Sequence, residues 1–152
     1  IHTKNIRKLL AETAFKIYNK KPKNLIAVTG TNGKSSVANF YYQILKLNNK
    51  KVASVGTLGV KSKNINLNLS NTTIDPIKLA EILSKLKSHK IEDVIMEASS
   101  HGLKQNRLDG LKFNSGIFTN LSQDHLDYHK NLKNYFNAKL YLFKNLIKKK
   151  VI

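Results

Sequence analysis

The run Val28-Thr29-Gly30-Thr31-Asn32-Gly33-Lys34-Ser35-Ser36 sets two glycines, a lysine and several hydroxyls between a short apolar stretch, Leu25-Ile26-Ala27-Val28, and a helical pattern. A strand that ends in such a turn and feeds a helix gathers backbone N–H groups at the positive end of the helix dipole. That is the chemistry of a phosphate cradle. Lys34 supplies a mobile positive charge suited to β- and γ-phosphates, and Ser35 a hydroxyl able to hold Mg²⁺. Gly30, Thr31, Asn32, Gly33, Lys34, Ser35 and Ser36 are therefore the expected contacts of a nucleoside triphosphate. The full P-loop pattern has a glycine five residues before Gly33, where this chain has Val28, so the match is to the shorter G-x-x-G-K-S form. The plain alternative is a glycine-containing turn with a solvated lysine; strand, glycines, Lys-Ser and helix in the right order favour the cradle.

A second group of reactive side chains lies in Ser122-Gln123-Asp124-His125-Leu126-Asp127-Tyr128-His129. With Glu97, at the end of another apolar run, a carboxylate and a histidine could hold a divalent ion beside a triphosphate. Spacing does not choose between His125 and His129, and either could instead cap a helix. Ser99-Ser100-His101 with Asp124 is a poor hydrolase triad, because adjacent Ser and His cannot readily face each other and G-x-S-x-G is absent. His125 and His129, four apart, could bind zinc, but H-E-x-x-H is absent. Lys139 stands inside an apolar helical stripe, where it must either snorkel outward or serve something; periodicity alone favours snorkelling. If it stays buried, the ammonium form is disfavoured.

The elements that must position these groups follow from periodicity. Residues 3–18 form an amphipathic helix with Ile6, Leu9, Leu10, Ala14 and Ile17 on one face. After the glycine turn, Val37, Phe40, Tyr41, Ile44 and Leu45 mark the next helix, closed by Asn48-Asn49. Residues 51–55 read as a strand ending at Gly56-Thr57-Leu58-Gly59, and Ile65, Leu67 and Leu69 as a short half-exposed one. Asp75-Pro76 starts a helix that buries Leu79, Ile82, Leu83 and Leu86. Residues 93–96 form a buried strand ending on Glu97, and 115–118 another ending on Thr119-Asn120. A last helix, from about 132 to 146, buries Leu132, Tyr135, Phe136, Leu140 and Phe143. Residues 148–152 look like the start of a further strand. Strands alternating with helices predict an α/β fold with a mostly parallel sheet flanked by helices, and ligands collect beyond the carboxyl ends of such strands. The glycine turn, Glu97 and the 120–129 segment all sit at strand ends, so one crevice is expected.

With 152 residues the chain is long enough for one domain burying roughly 70% of its unfolded surface. It contains no cysteine, which excludes a disulfide framework or thiolate metal site and fits the cytoplasm. No apolar run reaches the ~18 residues of a membrane span, and no leader pattern opens the chain. The net charge of +18 would ordinarily suggest nucleic acid. The lysines are scattered through every segment alongside many Asn and Ile, residues that share A/T-rich codons, so no specific nucleic-acid partner is expected.

Taken together, Thr29–Ser36, Asn71-Thr72-Thr73, Met96-Glu97-Ala98-Ser99-Ser100-His101-Gly102-Leu103, Gln105-Asn106-Arg107 and Phe118 to His129 resemble the Mur ligases, most closely the E-type branch. The resemblance covers essentially the whole chain. The glycine turn alone leaves the wider superfamily open, including folylpolyglutamate synthases, or a nucleotide switch without ligase chemistry; Glu-x-Ser-Ser-His, Gln-x-Arg and Asp-His-Leu-Asp-Tyr-His narrow it. The resemblance implies an ATP- and Mg²⁺-dependent ligase that activates a carboxylate of UDP-N-acetylmuramoyl-L-alanyl-D-glutamate as an acyl phosphate and joins a third amino acid to it. It further implies Lys34, Lys139 and His125 as catalytic residues, Gly30 to Ser36 at ATP, and Ser35, Glu97, His125 and a carbamylated Lys139 at Mg²⁺. Asn71, Thr72, Thr73, Ser99, Gln105 and Arg107 would contact the UDP-muramyl substrate. Residues 1–152 would then be part of the central ATP-binding domain of a cytoplasmic enzyme, monomeric at full length. The N-terminal UDP-binding domain and the C-terminal domain would be absent from this chain, which would be inactive alone.

Overall fold

The computed structural model describes residues 3–148. Six helices and six strands follow one another as α1 (Ile6–Ile17), β1 (Asn24–Thr29), α2 (Lys34–Leu47), β2 (Val52–Gly56), β3 (Gly59–Lys61), β4 (Asn66–Leu67), α3 (Pro76–Ser88), β5 (Asp93–Glu97), α4 (Ser100–Lys104), β6 (Ser115–Phe118), α5 (Leu126–His129) and α6 (Leu132–Tyr141), which runs into a π-helical turn, Leu142–Leu146. The strands form one sheet in the order β4-β3-β2-β5-β1-β6. β2, β5, β1 and the edge strand β6 run parallel, with Val28 opposite Glu97 and Thr29 opposite Phe118, so three carboxyl ends lie side by side. β3 and β4 continue antiparallel at one edge. This is the mixed α/β sheet flanked by helices that the alternation predicted.

Alternate strand residues face opposite layers. Leu25 and Ala27, Ala53 and Val55, and Val94 and Met96 join one large core with Phe15 of α1, Leu79, Leu83 and Leu86 of α3, Leu103 of α4 and Leu142 and Leu146. On the other face Val28 and Ile95 pack against Ala38, with Val37 and Tyr41 of α2 beside them. The three α3 leucines are 0–2% exposed, worth roughly 1.5–3 kcal/mol each against leaving them in water. Asp75 caps that helix by accepting from the Lys78 N–H, with Pro76 in its first turn.

Three helical faces differ from the periodicity. α1 buries Ala11, Ala14 and Phe15, whereas Ile6 and Ile17 are about 70% exposed and Leu10 about half. Its close neighbour is Gly110, at φ +91°, where a Cβ would meet the Glu12 Cα at 2.9 Å, so small residues set the contact. α2 turns Phe40 and Ile44 outward and packs through Val37, Ala38, Tyr41 and Tyr42. α6 buries Tyr135, Ala138 and Lys139, with Leu142 of the following turn, and leaves Leu132 and Phe136 45% and 37% exposed. In each case an alanine on the packed side permits closer approach than a bulkier apolar side chain, and total hydrophobicity does not register that. The strand expected around Ile65–Leu69 shrinks to Asn66–Leu67, with Ile65 buried beside it. Gly56-Thr57-Leu58-Gly59 is a tight β2–β3 hairpin, with Gly56 opposite Gly59. The short helices α4 and α5 were not expected. Ile147 bridges Phe113 in parallel, and the rest of the strand expected over 148–152 lies outside the described residues.

Candidate functional site

β1 delivers the chain into the glycine turn, and Gly33, at φ +83°, hands it to α2. Gly30 lies against Thr119: a Cβ there would overlap the Thr119 hydroxyl, so only glycine lets the loop sit on the end of β6. The loop is clamped from that side. Thr119 Oγ1 donates to the Asn32 carbonyl at 2.6 Å, Asn120 Oδ1 accepts from the Asn32 N–H at 3.0 Å, and the Asn120 carbonyl accepts from the Thr31 N–H. Thr31 Oγ1 donates to the Ser122 carbonyl and accepts from the Ser122 N–H at 3.0 Å. Segment 119–122 therefore holds the turn through both backbone and side-chain hydrogen bonds.

Lys34 folds back and donates to the Gly30 and Thr31 carbonyls, at 3.0 and 2.7 Å. Burial lowers its pKa, with Glu97 and Asp124 opposing. Ser35 Oγ donates to Glu97 Oε2 at 3.0 Å. Glu97 is only 3% exposed and makes no ion pair among the described residues. Its carboxylate accepts also from the Thr57 N–H at 2.9 Å and the Thr57 hydroxyl at 3.1 Å. Gly56 permits this, because a Cβ there would overlap the carboxylate. A buried carboxylate held by neutral donors, two of them the hydroxyls of Ser35 and Thr57, is a set suited to a hard cation.

Lys139 does not snorkel. It is 1% exposed, its Nζ donates to the Gly30 carbonyl at 2.6 Å, and it lies 4.2 Å from the centre of the Tyr135 ring. Two lysines, 34 and 139, thus share one carbonyl. Burial first, then the Lys34 charge, lowers the Lys139 pKa to about 7. Tyr135, itself buried, donates to Thr31 Oγ1 at 3.1 Å.

His125 lies in a cluster of rings, near His101 and Tyr135. It is in the left-handed region at φ +50°, lies 3.5 Å from Asp124 Oδ2, and packs edge-on against His101 with ring centres 4.9 Å apart. His101 contacts Tyr128 and His129 as well, and burial lowers the pKa of both His101 and His129. His129 is buried with Nε2 3.0 Å from Ser100 Oγ, a structural place that separates it from the exposed His125. Among the described residues no three His, Cys, Asp or Glu form a group able to hold a metal alone.

The remaining expected site residues line the crevice at the β2 and β5 ends. Thr72 Oγ1 lies 2.9 Å from Thr57 Oγ1, and Asn71 donates to Ser70 Oγ. Thr73 is inward: its hydroxyl donates to the Glu97 carbonyl and accepts from the Ser99 N–H, both at 2.9 Å. Ser99 caps α4 by accepting from the Gly102 N–H. Arg107 donates to Gln105 Oε1 through Nε and Nη2 and to the Thr73 carbonyl through Nη1. Ser36 is exposed on the first turn of α2. Thr57 and Tyr135, which meet Glu97 and Lys139, escape a reading by motif, while Thr119 and Asn120 lie inside one without a role assigned to them. The only sequence signal of the first two is a polar residue just past a strand end, or an aromatic four residues before a lysine.

A family model described as the Mur ligase middle domain matches residues 28–152. The UDP-N-acetylmuramoyl-L-alanyl-D-glutamate--2,6-diaminopimelate ligase of Brucella melitensis biotype 1 is 44% identical over 149 residues, which are 98% of this chain and 30% of that protein. A solved structure of a ligase of that name superposes with a TM-score of 0.81 at 34% identity, covering 94% of this chain and 30% of the other. E. coli FolC in complex with DHPP and ADP superposes with a TM-score of 0.70 at 17% identity, over 94% of this chain and 40% of that one, a likeness of fold. The chain spans about 30% of the length of the curated relatives it matches.

Proposed function

The chain belongs to the Mur ligase family through its middle domain, and from that premise we propose that it is the nucleotide-binding part of an ATP-dependent ligase of peptidoglycan synthesis. That enzyme joins a third amino acid to UDP-N-acetylmuramoyl-L-alanyl-D-glutamate in the cytoplasm. The observation that carries the reading is the meeting of three groups at one loop: Lys34 and Lys139 on the Gly30 carbonyl, and Ser35 on the buried Glu97. A structural relative carries ADP, which supports ATP as the phosphoryl donor.

In this reading, the backbone of Gly30 to Ser36 and the α2 terminus receive the phosphates, acting as a P-loop. Lys34 leaves its two carbonyls to neutralise charge on the transferring phosphoryl group. Asn71, Thr72, Ser99, Gln105 and Arg107 orient the muramyl dipeptide; Thr73, its hydroxyl engaged internally, holds Ser99 and Arg107 in place. A carboxylate oxygen of the dipeptide takes the γ-phosphoryl group and ADP leaves. The incoming amine then attacks the carbonyl carbon, a C–N bond forms, inorganic phosphate departs and the nitrogen loses a proton. Ser35, Glu97 and His125 would hold Mg²⁺, which when bound neutralises phosphate charge. Burial lowers the Lys139 pKa to about 7 and so favours the neutral amine, the form that adds CO₂ with loss of a proton, and the resulting carbamate exchanges a positive for a negative charge. Holding nucleotide and carboxylate in line is the main task of the rest of the crevice.

The test is the intact gene product with ATP, Mg²⁺, the UDP-muramyl dipeptide and an amino acid. Amide product formed in step with ADP is expected, with Lys34→Ala reducing turnover by at least ~10²-fold. ATP cleavage without amide product, or near-normal turnover by the variant, would overturn the reading.

A further inference from the structure

The sequence has 27 Lys and Arg residues, yet only two are arginines, Arg7 and Arg107, a hundred positions apart. Both line one cleft of about 250 Å³, with Leu10, Asn71, Asp75 and Gln105. In a chain where nearly every basic position is lysine, two guanidinium groups on one cleft point to a need for their shape. Lysine offers a point charge; arginine offers a planar fork that pairs bidentately with a carboxylate or phosphate.

The fold builds this placement. Asn5 caps α1 by accepting from the Lys8 N–H at 3.0 Å, and its Nδ2 donates to Asn106 Oδ1 at 3.0 Å. Asn106, at φ +57°, is the residue between Gln105 and Arg107, so the start of α1 is tied to the turn that carries the second arginine. Arg107 is held by three donated hydrogen bonds, which leave two of its five N–H groups uncommitted. Arg7 makes no ion pair or side-chain hydrogen bond among the described residues. The carboxylate in the cleft, Asp75, is engaged at the α3 cap.

We propose that Arg7 is a substrate-binding residue that, across the cleft from Arg107, grips an oxyanion of the substrate remote from the reacting carboxyl. This rests on the ligase reading above. Two groups of the UDP-muramyl dipeptide share that chemistry: the free carboxylate of its glutamate, and its diphosphate. Arg7 lies outside the stretch matched by the family model and belongs to no motif.

Full-length wild-type, Arg7→Lys and Arg7→Gln enzymes separate the possibilities. Arg7 is exposed on its helix, so each variant should keep the wild-type melting temperature. Both should bind the UDP-muramyl dipeptide about 10- to 100-fold more weakly by calorimetry, with KM rising in parallel and the KM for ATP unchanged. Failure of the charge-conserving lysine to substitute is the signature of a fork. If the glutamate carboxylate is gripped, an analogue bearing a carboxamide there erases the difference between wild type and variants. If the diphosphate is gripped, a muramyl dipeptide lacking UDP erases it instead. Equal affinity of all three enzymes, or full activity of Arg7→Lys, would overturn the proposal, as would a penalty that survives both analogues. A wild type that binds the substrate but forms no amide would overturn the ligase reading and leave the binding comparison intact.

Discussion

At the scale of single residues, Lys139 is the group whose environment conflicts most with its ordinary chemistry. Its folded pKa of about 7 lies below the usual 10.5, so between those values the unfolded chain binds more protons than the folded one. Stability contributed at this site therefore rises with pH from about 7 to 10.5, and below 7 the full penalty remains. With CO₂ removed, so that Lys139 is the unmodified amine, Lys139→Met in the intact protein should raise the stability of this domain at pH 7 by roughly 3–5 kcal/mol. The gain should shrink on approaching pH 10.5. The same substitution should abolish turnover, and Lys139→Ala should do likewise, with short-chain carboxylic acids partly restoring activity by filling the vacated anionic position. A Lys139→Met protein less stable at pH 7 than wild type would show that the amine is paid for by contacts other than its bond to the Gly30 carbonyl.

Glu97 is the buried carboxylate of the same crevice. Its carboxylate depends on space that Gly56 leaves open, so Gly56→Ala must displace it or push β2 away. With Ser35 and Thr57 then unpartnered, the intact enzyme should need several-fold more Mg²⁺ for half-maximal rate, read from a Mg²⁺ titration at saturating ATP. An unchanged Mg²⁺ requirement would remove Glu97 from the ion's surroundings.

At the scale of elements, much of the fold is legible in the sequence because its signals are local. The α3 cap and leucine spacing, the apolar runs of β1, β5 and β6, and the glycine turn each declare themselves within a few residues. Which face of α1, α2 or α6 is buried does not, because alanines at positions 11, 38 and 138 decide the approach, and alanine is weakly hydrophobic. The same limit hid the β2–β3 hairpin, whose signal is two glycines around Thr57-Leu58. The site divides likewise. Gly30 to Ser36, Glu97 and Arg107 are named by motif, whereas Tyr135 meets the loop only through a contact spanning about a hundred residues of chain. Tyr135 ties α6 to the loop through Thr31, so Tyr135→Phe should loosen Lys139 while keeping its ring contact. The expectation is a several-fold fall in kcat at nearly constant KM for ATP; a change confined to KM would argue that Tyr135 serves nucleotide binding instead.

At the scale of the whole molecule, the +18 charge produces a field rather than a site. Retention on DNA should be weak, blind to sequence and lost near physiological salt, since it reflects counterion release alone. Tight binding that persists at that salt would require a nucleic-acid function in addition to the one proposed. No helix among the described residues is long and apolar enough to cross a membrane. The chain spans about 30% of its curated relatives, so the proposed activity is tested on the intact gene product.

The central claim is that a carboxylate of the muramyl dipeptide is phosphorylated by ATP at the loop 30–36 and then captured by an amine. The most direct measurement uses the intact enzyme and substrate labelled with ¹⁸O in the reacting carboxylate, with the released inorganic phosphate analysed by mass spectrometry. Activation as an acyl phosphate moves one labelled oxygen into phosphate for each amide formed. Amide product accompanied by unlabelled phosphate would contradict it.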